Sequence, residues 1–430
     1  MRCSGRLLPM QNSFRIIEIH LRNIRAFRRL DLVLTGAGGL KPRQRTLIIG
    51  KNGTCKSTIL RAIAVGLADQ TDASKLISEP IGGFVSQHKH EGGVTVDLAR
   101  DGGLGLEDAI SSKKLLLRSG DRESILASVF PYDTESFGES SAAELPSVFV
   151  CGYGAGRFGS GPDSGRSYRI SDSVATLFNY QQTLIDPELT LHRLRSVLGT
   201  AIYDRTLRGL KRALGLSEED EIELRPKGGV EIQGPTVGGR ISLEGWADGY
   251  RLTFSWLLDL YAWAMRAEAI DRDGHIEGIL LIDEIEQHLH PSMQAEILPH
   301  LSELLPKMQI FATTHSPLVA LDASPEELVV LRREGDEIVA EQNVPNFLGY
   351  SVEDMLADPR LFDTEIYGHE TREKLTEYRE LAAVPQDERS PDQRSRLYSL
   401  ATEIRSFEGP REKENETSRL LKQLIRKHGL

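Results

Sequence analysis

Apolar and polar positions alternate in part along two stretches near the start, FRIIEIHLRNI and RRLDLVL between Phe14 and Leu34, and this period predicts two β-strands. After the loop GAGGLKPRQ, the apolar run Thr46-Leu47-Ile48-Ile49 predicts a buried strand, and a helical pattern opens at Thr58. From Gly82 to Ser147 the pattern breaks into short strands and polar loops, and helical periodicity returns between Ser173 and Leu214. A long helix is expected from about Gly249 to Glu268; its stretch Phe254–Met265 carries Asp259 and reads as buried. The run GILLID, Gly278 to Asp283, reads as a strand covered on both faces, as central parallel strands are. A helix over Pro291–Leu304, a strand over Gln309–Thr314 and a hairpin over Glu327–Gln342 follow. Beyond Gly349 the chain is highly charged and helical, with breaks near Pro385 and Pro410. Strand–helix–strand alternation with polar residues at the strand ends predicts a parallel α/β sheet that binds ligands at its carboxyl edge.

The residues at that edge carry specific chemistry. GKNGTCKST, Gly50 to Thr58, lies between the predicted strand and helix. The backbone of Gly50, Asn52, Gly53 and Thr54, with the helix N-terminus at Thr58, would offer partial positive charge to a triphosphate. Lys56 would reach the β- and γ-phosphates and the Ser57 hydroxyl would sit on Mg2+. Cys55 stands where this pattern usually has glycine, and its side chain is expected to crowd the turn and to weaken hydrolysis more than binding. Asp283 closes the strand ILLID at the place where a carboxylate holds Mg2+, and Glu284 is the candidate general base for the attacking water. His315 follows the next strand in ATTHSP, where a neutral imidazole could bond the γ-phosphate or the water; a purely structural histidine is the alternative.

The chain of 430 residues has a net charge of −11, so its surface as a whole is no trap for nucleic acid. A local basic face at Arg205, Arg208, Lys211 and Arg212 leaves DNA contact open, with a solvated helix face as the plainer reading. Three scattered cysteines fit neither a disulfide framework nor a zinc site and suggest a reducing cytoplasm. The apolar run at the N-terminus is too short for a signal peptide, and no segment approaches the ~20 apolar residues of a membrane span.

In their order along the chain, GKNGTCKST, EGWADGYR, ILLIDE and ATTHSP resemble the ABC-type ATPase heads related to SMC, recombination-repair and overcoming-lysogenization-defect ATPases. The resemblance covers roughly Phe14 to Leu331 and is sharpest at DEIEQHLHPSMQ and TTHSPLV. It implies a P-loop NTPase fold of α/β class, with a mixed sheet and a helical subdomain. The head would span residues 14–345 with a helical insertion at about 165–265, and a helical extension would occupy 346–430. It also implies ATP hydrolysis with Mg2+ by two paired heads, each nucleotide held between one phosphate loop and the partner's signature helix. Ala247, Asp248 and Gly249 match the signature position, with Ala247 where most of the family carries serine. Arg25, in LRNIRAF, matches an arginine that approaches the nucleotide, and Arg157 is a candidate phosphate contact; Gln87, Gln181 and Gln182 are alternatives for a magnesium-binding glutamine. Compact members of this group accompany anti-phage modules, as the ATPase subunit of Septu-like systems does, so a switch acting on an effector such as a nuclease is expected. A DNA-end binder and a nearly inactive nucleotide-binding scaffold are the alternatives. The long coiled coils of DNA-tethering relatives are absent, and Glu353, Asp354 and Asp358 are spread as on a solvated helix rather than grouped as in a metal nuclease.

Overall fold

The structure is a computed structural model that describes residues 14–406 except 37–40, 82, 102–108, 121, 132–145, 158, 162–164, 166, 226–228, 343, 365–366 and 387. A six-stranded sheet organises the larger part of it. In spatial order its strands are Glu337–Glu341, Leu328–Glu334, Arg45–Gly50, Met308–Thr314, Gly278–Ile282 and Val150–Tyr153; all but the first run parallel. Successive residues face opposite sides, and both sides are covered. Leu47, Ile49, Leu280, Ile282, Ile310 and Ala312 join one apolar cluster, while Ile48, Ile279, Leu281, Phe311 and Val329 join another. Burial on both faces is why these strands are written as unbroken apolar runs.

Helix Lys56–Leu67 and an antiparallel sheet cover one face. That second sheet has the order Phe27–Val33, Phe14–Ile24, Glu91–Arg100, Ile110–Ser119 and Arg122–Pro131. The helix approaches it so closely at Gly66 that a Cβ there would lie 2.4 Å from Val96 Cγ2. The last three of these strands are ten residues each, longer and more regular than the short strands and polar loops expected between Gly82 and Ser147. The segment ISSKKLLLRS hides its register because its inward position is Lys114, almost fully buried, while Leu115 and Leu117 face solvent. The Lys114 amine donates to Ser112 Oγ, and burial pushes its pKa down to about 8.

The other face carries helices Pro187–Val197, Thr200–Ala213, Asp248–Arg266 and Pro291–Leu304. The expected helical run from Ser173 is interrupted by the short strand Leu184–Ile185, and Asp186 then caps a new helix by accepting from Leu189 N–H, with Pro187 at its first position. A three-stranded sheet, Glu221–Leu224, Val230–Gly234 and Gly239–Ser242, completes this side.

The protein divides into two compact units between Asp363 and Thr364. Helix Val352–Ala357 belongs to the first. In the second, helices His369–Ala383 and Pro391–Ser406 pack together, joined by a two-pronged Arg396–Glu377 ion pair at 2.7 Å. Leu400 is fully buried between them and Leu375, Tyr378, Leu381 and Leu397 half-buried, as amphipathic helices require; Leu420, Leu421 and Leu424 lie outside the described residues.

One ionisable group ties the antiparallel sheet together. His20 Nδ1 lies 2.7 Å from Asp31 Oδ1, and Nε2 lies 3.1 Å from Asp97 Oδ2. Bonding to Asp97 first and Asp31 next raises its pKa from 6.5 to about 9, against the effect of burial. A pKa raised on folding stabilises fully below the unfolded value of 6.5, and the benefit is lost as pH rises towards 9. The melting temperature should therefore fall between pH 6 and pH 9.5, and His20→Gln should flatten that dependence; thermal unfolding of both proteins across this range checks it.

Candidate functional site

Strand Arg45–Gly50 delivers the chain to the carboxyl edge, and Gly50 begins the turn. A Cβ on Gly50 would lie 2.6 Å from the Leu331 carbonyl oxygen and 2.8 Å from Thr54 Oγ1, so no other residue fits there. The Thr54 hydroxyl donates to the Lys51 carbonyl at 2.8 Å, and Arg333 Nη2 donates to the Gly53 carbonyl at 3.1 Å. Among the described residues, the N–H groups of Asn52, Gly53, Cys55, Lys56 and Ser57 meet no protein acceptor. Five unsatisfied donors around one turn at a helix N-terminus form a concave anion site. Lys56 is buried beside them, its amine bonded to the Gly50 and Lys51 carbonyls at 2.9 and 3.3 Å. Burial pushes the Lys56 pKa down, while Asp283, Glu284 and Glu286 pull it back up.

Cys55 adopts the left-handed conformation, φ 62° and ψ 29°, just before the helix. This explains why glycine is usual here: the backbone needs a positive φ, which costs a residue with a Cβ roughly 1–2 kcal/mol. The expected crowding takes a different form. The thiol is half-buried against the apolar cluster under the helix, and the turn closes with the thiol in place.

Two strands away, Asp283 follows Gly278–Ile282 and is almost fully buried. Thr313, at the end of the intervening strand, donates its hydroxyl to Asp283 Oδ1 at 2.6 Å and accepts from Glu284 N–H at 2.8 Å. Glu284 is also left-handed, φ 48°. Its pKa is raised by partial burial first and by Asp283 and Glu286 next, against Lys56 and Arg157, which suits a proton acceptor. His315 is half-buried, and burial and the Lys56 charge push its pKa down, so its ring is neutral at pH 7. The His315 N–H donates to Glu286 Oε1 at 2.6 Å, and Glu286 Oε2 is buried without a protein partner. The structure thus brings Glu284 and His315 each within electrostatic range of Lys56 and Asp283. Sequence reasoning missed Thr313 and Glu286 as members of this group; both lie inside the conspicuous motifs, but only the fold shows that their side chains tie two strand ends together.

The remaining candidates differ in their surroundings. Arg25, φ 48°, is within range of Cys55, but its Nε and Nη2 donate to the carbonyls of Gly83 and Ile81 at 3.1 and 2.7 Å. Arg157 is directed at backbone carbonyls of the Asp283–Glu284 turn. Gln87, Gln181 and Gln182 are all exposed, and the loop that leaves strand Val150–Tyr153 beside Asp283 carries Arg157 and no glutamine. Ala247 and Asp248 are exposed at the start of helix Asp248–Arg266. Among the described residues no hydrogen bond or ion pair joins residues 247–249 to residues 50–58. Gly249 instead packs against the segment after Glu284: a Cβ there would lie 2.5 Å from the His288 carbonyl oxygen. Of the basic face, Lys211 donates to the Glu218 and Asp220 carbonyls and Arg212 pairs with Glu218 and Glu303, while Arg205, Arg208 and Arg212 are all exposed.

This donor set fits a nucleoside triphosphate with a divalent cation: an anion cradle and Lys56 for the phosphates, Ser57 and Asp283 for the metal, a carboxylate of raised pKa for a proton. Comparisons of sequence with known proteins point the same way. Residues 18–128 match the family model described as "AAA domain", and residues 247–322 match the one described as "AAA domain, putative AbiEii toxin, Type IV TA system". The chain is 27% identical over 356 residues to the Septu protein PtuA of Bacillus mycoides (strain KBAB4), an alignment covering 81% of this chain and 45% of that protein. A stretch of 55 residues is 44% identical to the Retron Ec83 probable ATPase of Escherichia coli, covering 13% and 10% of the two chains. These alignments span less than half the length of either relative. Among solved structures, the SMC head domain from Thermotoga maritima matches with a TM-score of 0.41 and 14% identity over 76% of this chain and 98% of that one. In keeping with the resemblance drawn from the motifs, the chain is similar in part to AAA domains and to Septu and retron ATPases.

The left-handed backbone at Cys55 gives a direct test. Cys55→Gly should keep nucleotide binding and change stability by no more than about 1 kcal/mol, because relief of strain offsets glycine's greater freedom in the unfolded chain. Cys55→Val places a β-branched residue at positive φ and should cost about 1–3 kcal/mol and weaken binding. Thermal unfolding and titration with a fluorescent ATP analogue measure both.

Proposed function

We propose that this protein is a cytoplasmic ATP-hydrolysing switch whose heads pair around nucleotide and control an effector protein, such as a nuclease, in a bacterial defence module. The observation that carries the enzymatic part is the meeting, at one sheet edge, of an unsatisfied anion cradle with Lys56 and a carboxylate pair beside a neutral histidine. The biological role is supported by the named relatives, which include a Septu protein and a retron ATPase.

In this reading the N–H groups of Asn52, Gly53, Cys55, Lys56 and Ser57 and the Lys56 ammonium hold the β- and γ-phosphates. Ser57 and Asp283 hold Mg2+, which when bound neutralises charge on the phosphates. Glu284 accepts a proton from a water that attacks the γ-phosphorus as the bond to the ADP oxygen breaks. Neutral His315 donates a hydrogen bond to the γ-phosphate or orients the water. The absence of bonds between residues 247–249 and the same chain's phosphate loop, together with the exposure of Ala247 and Asp248, supports a signature helix that serves a second copy.

Glu284→Gln removes the proton acceptor and leaves the cradle untouched. Its turnover should fall on the order of 100- to 10,000-fold while ATP binding stays intact. Phosphate release and analogue titration on the same preparation decide; unchanged turnover would remove Glu284 from the reaction.

Pairing is tested by mixing two inactive variants. Lys56→Ala disables the cradle. Asp248→Arg is the cleaner lesion of the signature helix, since Asp248 is exposed whereas any side chain at 249 collides with its own chain's His288 carbonyl. In a mixed pair one composite site carries both lesions and the other carries none. Activity should therefore recover in part on mixing, and none should appear if each chain hydrolyses ATP alone.

A further inference from the structure

Arg157, four residues past strand Val150–Tyr153, is 3% exposed, and its guanidinium lies against the Asp283–Glu284 turn. Nη1 donates to the Asp283 carbonyl at 2.7 Å and the Gly154 carbonyl at 3.0 Å, and Nη2 donates to the Glu284 carbonyl at 2.9 Å. A desolvated guanidinium is costly. Here burial brings its pKa down only to about 10, because Asp283, Glu286 and Glu284 oppose it, so the charge persists at neutral pH. Three carbonyls replace the lost water.

Those bonds matter because of what Glu284 must do. Its backbone sits at φ 48°, where a residue with a Cβ is strained, and a carboxylate that takes a proton from water must be held within a fraction of an ångström. Thr313 holds the Glu284 N–H from one side, and Arg157 holds the Glu284 and Asp283 carbonyls from the other. The peptide groups on both sides of the Glu284 Cα are therefore fixed by two side chains from neighbouring strand ends. Three of the five guanidinium N–H groups, both of Nη1 and one of Nη2, are committed to these carbonyls.

We propose that Arg157 is a positioning residue for hydrolysis: it holds the left-handed turn that aims the Glu284 carboxylate, without touching the nucleotide. This rests on the reading of Glu284 as the proton acceptor.

The test measures kcat, KM, fluorescent ATP-analogue Kd and thermal unfolding for the full chain and its Arg157→Ala, Arg157→Lys, Glu284→Gln and Arg157→Ala/Glu284→Gln variants. Arg157→Ala should lower kcat on the order of 100-fold, the scale of a misplacement of about 1 Å, with KM and Kd close to those of the parent. Added guanidinium ion should restore part of that loss. Arg157→Lys, which keeps the charge but cannot reach all three carbonyls, should fall between. The double variant should be no slower than Glu284→Gln alone, because both lesions act on one group. A raised KM and Kd at unchanged kcat would make Arg157 a phosphate ligand and overturn the proposal. So would full kcat in Arg157→Ala, or a double variant much slower than Glu284→Gln. If Arg157→Ala fails to fold, Arg157→Lys decides by the same criteria, and if both unfold Arg157 is simply structural. Undiminished turnover in Glu284→Gln would instead refute Glu284 as the proton acceptor, whatever Arg157→Ala does.

Discussion

A parallel sheet buried on both faces leaves polar chemistry only one outlet, the ends of its strands. Here four adjacent strands, Arg45–Gly50, Met308–Thr314, Gly278–Ile282 and Val150–Tyr153, reach the same edge with alternate residues locked into two apolar clusters. That packing fixes the register of each strand, since a slip of one residue would move every side chain into the opposite cluster. The polar groups that emerge are consequently held in place by hydrophobic burial far larger than any single bond among them. The anion cradle, Asp283, the Thr313 hydroxyl and the Arg157 guanidinium are the continuations of those strands. Their mutual geometry follows from the sheet order.

The helix Asp248–Arg266 is tied into this edge at two points. At its N-terminus Gly249 touches the His288 carbonyl, four residues beyond Glu284. At mid-length Asp259, buried with its pKa pushed up to about 6 mainly by desolvation, accepts from the Tyr153 hydroxyl at 2.8 Å and from Ile185 N–H at 2.7 Å. Tyr153 in turn accepts from Asp283 N–H through its carbonyl at 2.8 Å and begins the loop that carries Arg157. A shift of this helix would be felt by the Asp283–Glu284 turn from both sides, through packed backbone and buried hydrogen bonds rather than through a flexible linker. The start of this helix and the turn that carries Asp283 and Glu284 are in this way parts of one packed unit.

Much of this was legible in the chain because the parallel strands and the phosphate loop write themselves locally: GILLID, QIFATT and GKNGTCKST each carry their own signal. The helix Pro291–Leu304 was legible for the same reason, with proline at its first turn. The antiparallel strands were not. Ile110–Ser119 buries Lys114 and exposes Leu115 and Leu117, so its alternation is set by neighbouring strands rather than by its own residues. The direction of Arg157 was equally hidden. A buried arginine bonded to carbonyls and an exposed one facing phosphate look alike in a glycine-rich loop, and only the sheet order places it under the Asp283–Glu284 turn.

Backbone strain occurs at several places, and this region is one of them. Of the described residues that carry a Cβ, Asn23, Arg25, Cys55, His88, Glu268, Glu284, His288 and Asp363 have a positive φ; Cys55 lies in the phosphate loop, and Glu284 and His288 in the segment after Asp283. Each costs roughly 1–3 kcal/mol and persists only where surrounding bonds dictate it. At Cys55 the helix start and the apolar cluster impose it; at Glu284 Thr313 and Arg157 do; at Arg25 bonds from its own N–H and guanidinium to residues 81–84 do. Glycine would relieve the strain at any of these positions, yet at Glu284 it would also remove the carboxylate. The strain there is the cost of placing an acidic residue just past the end of a buried strand, on a turn that bonds from Thr313 and Arg157 hold.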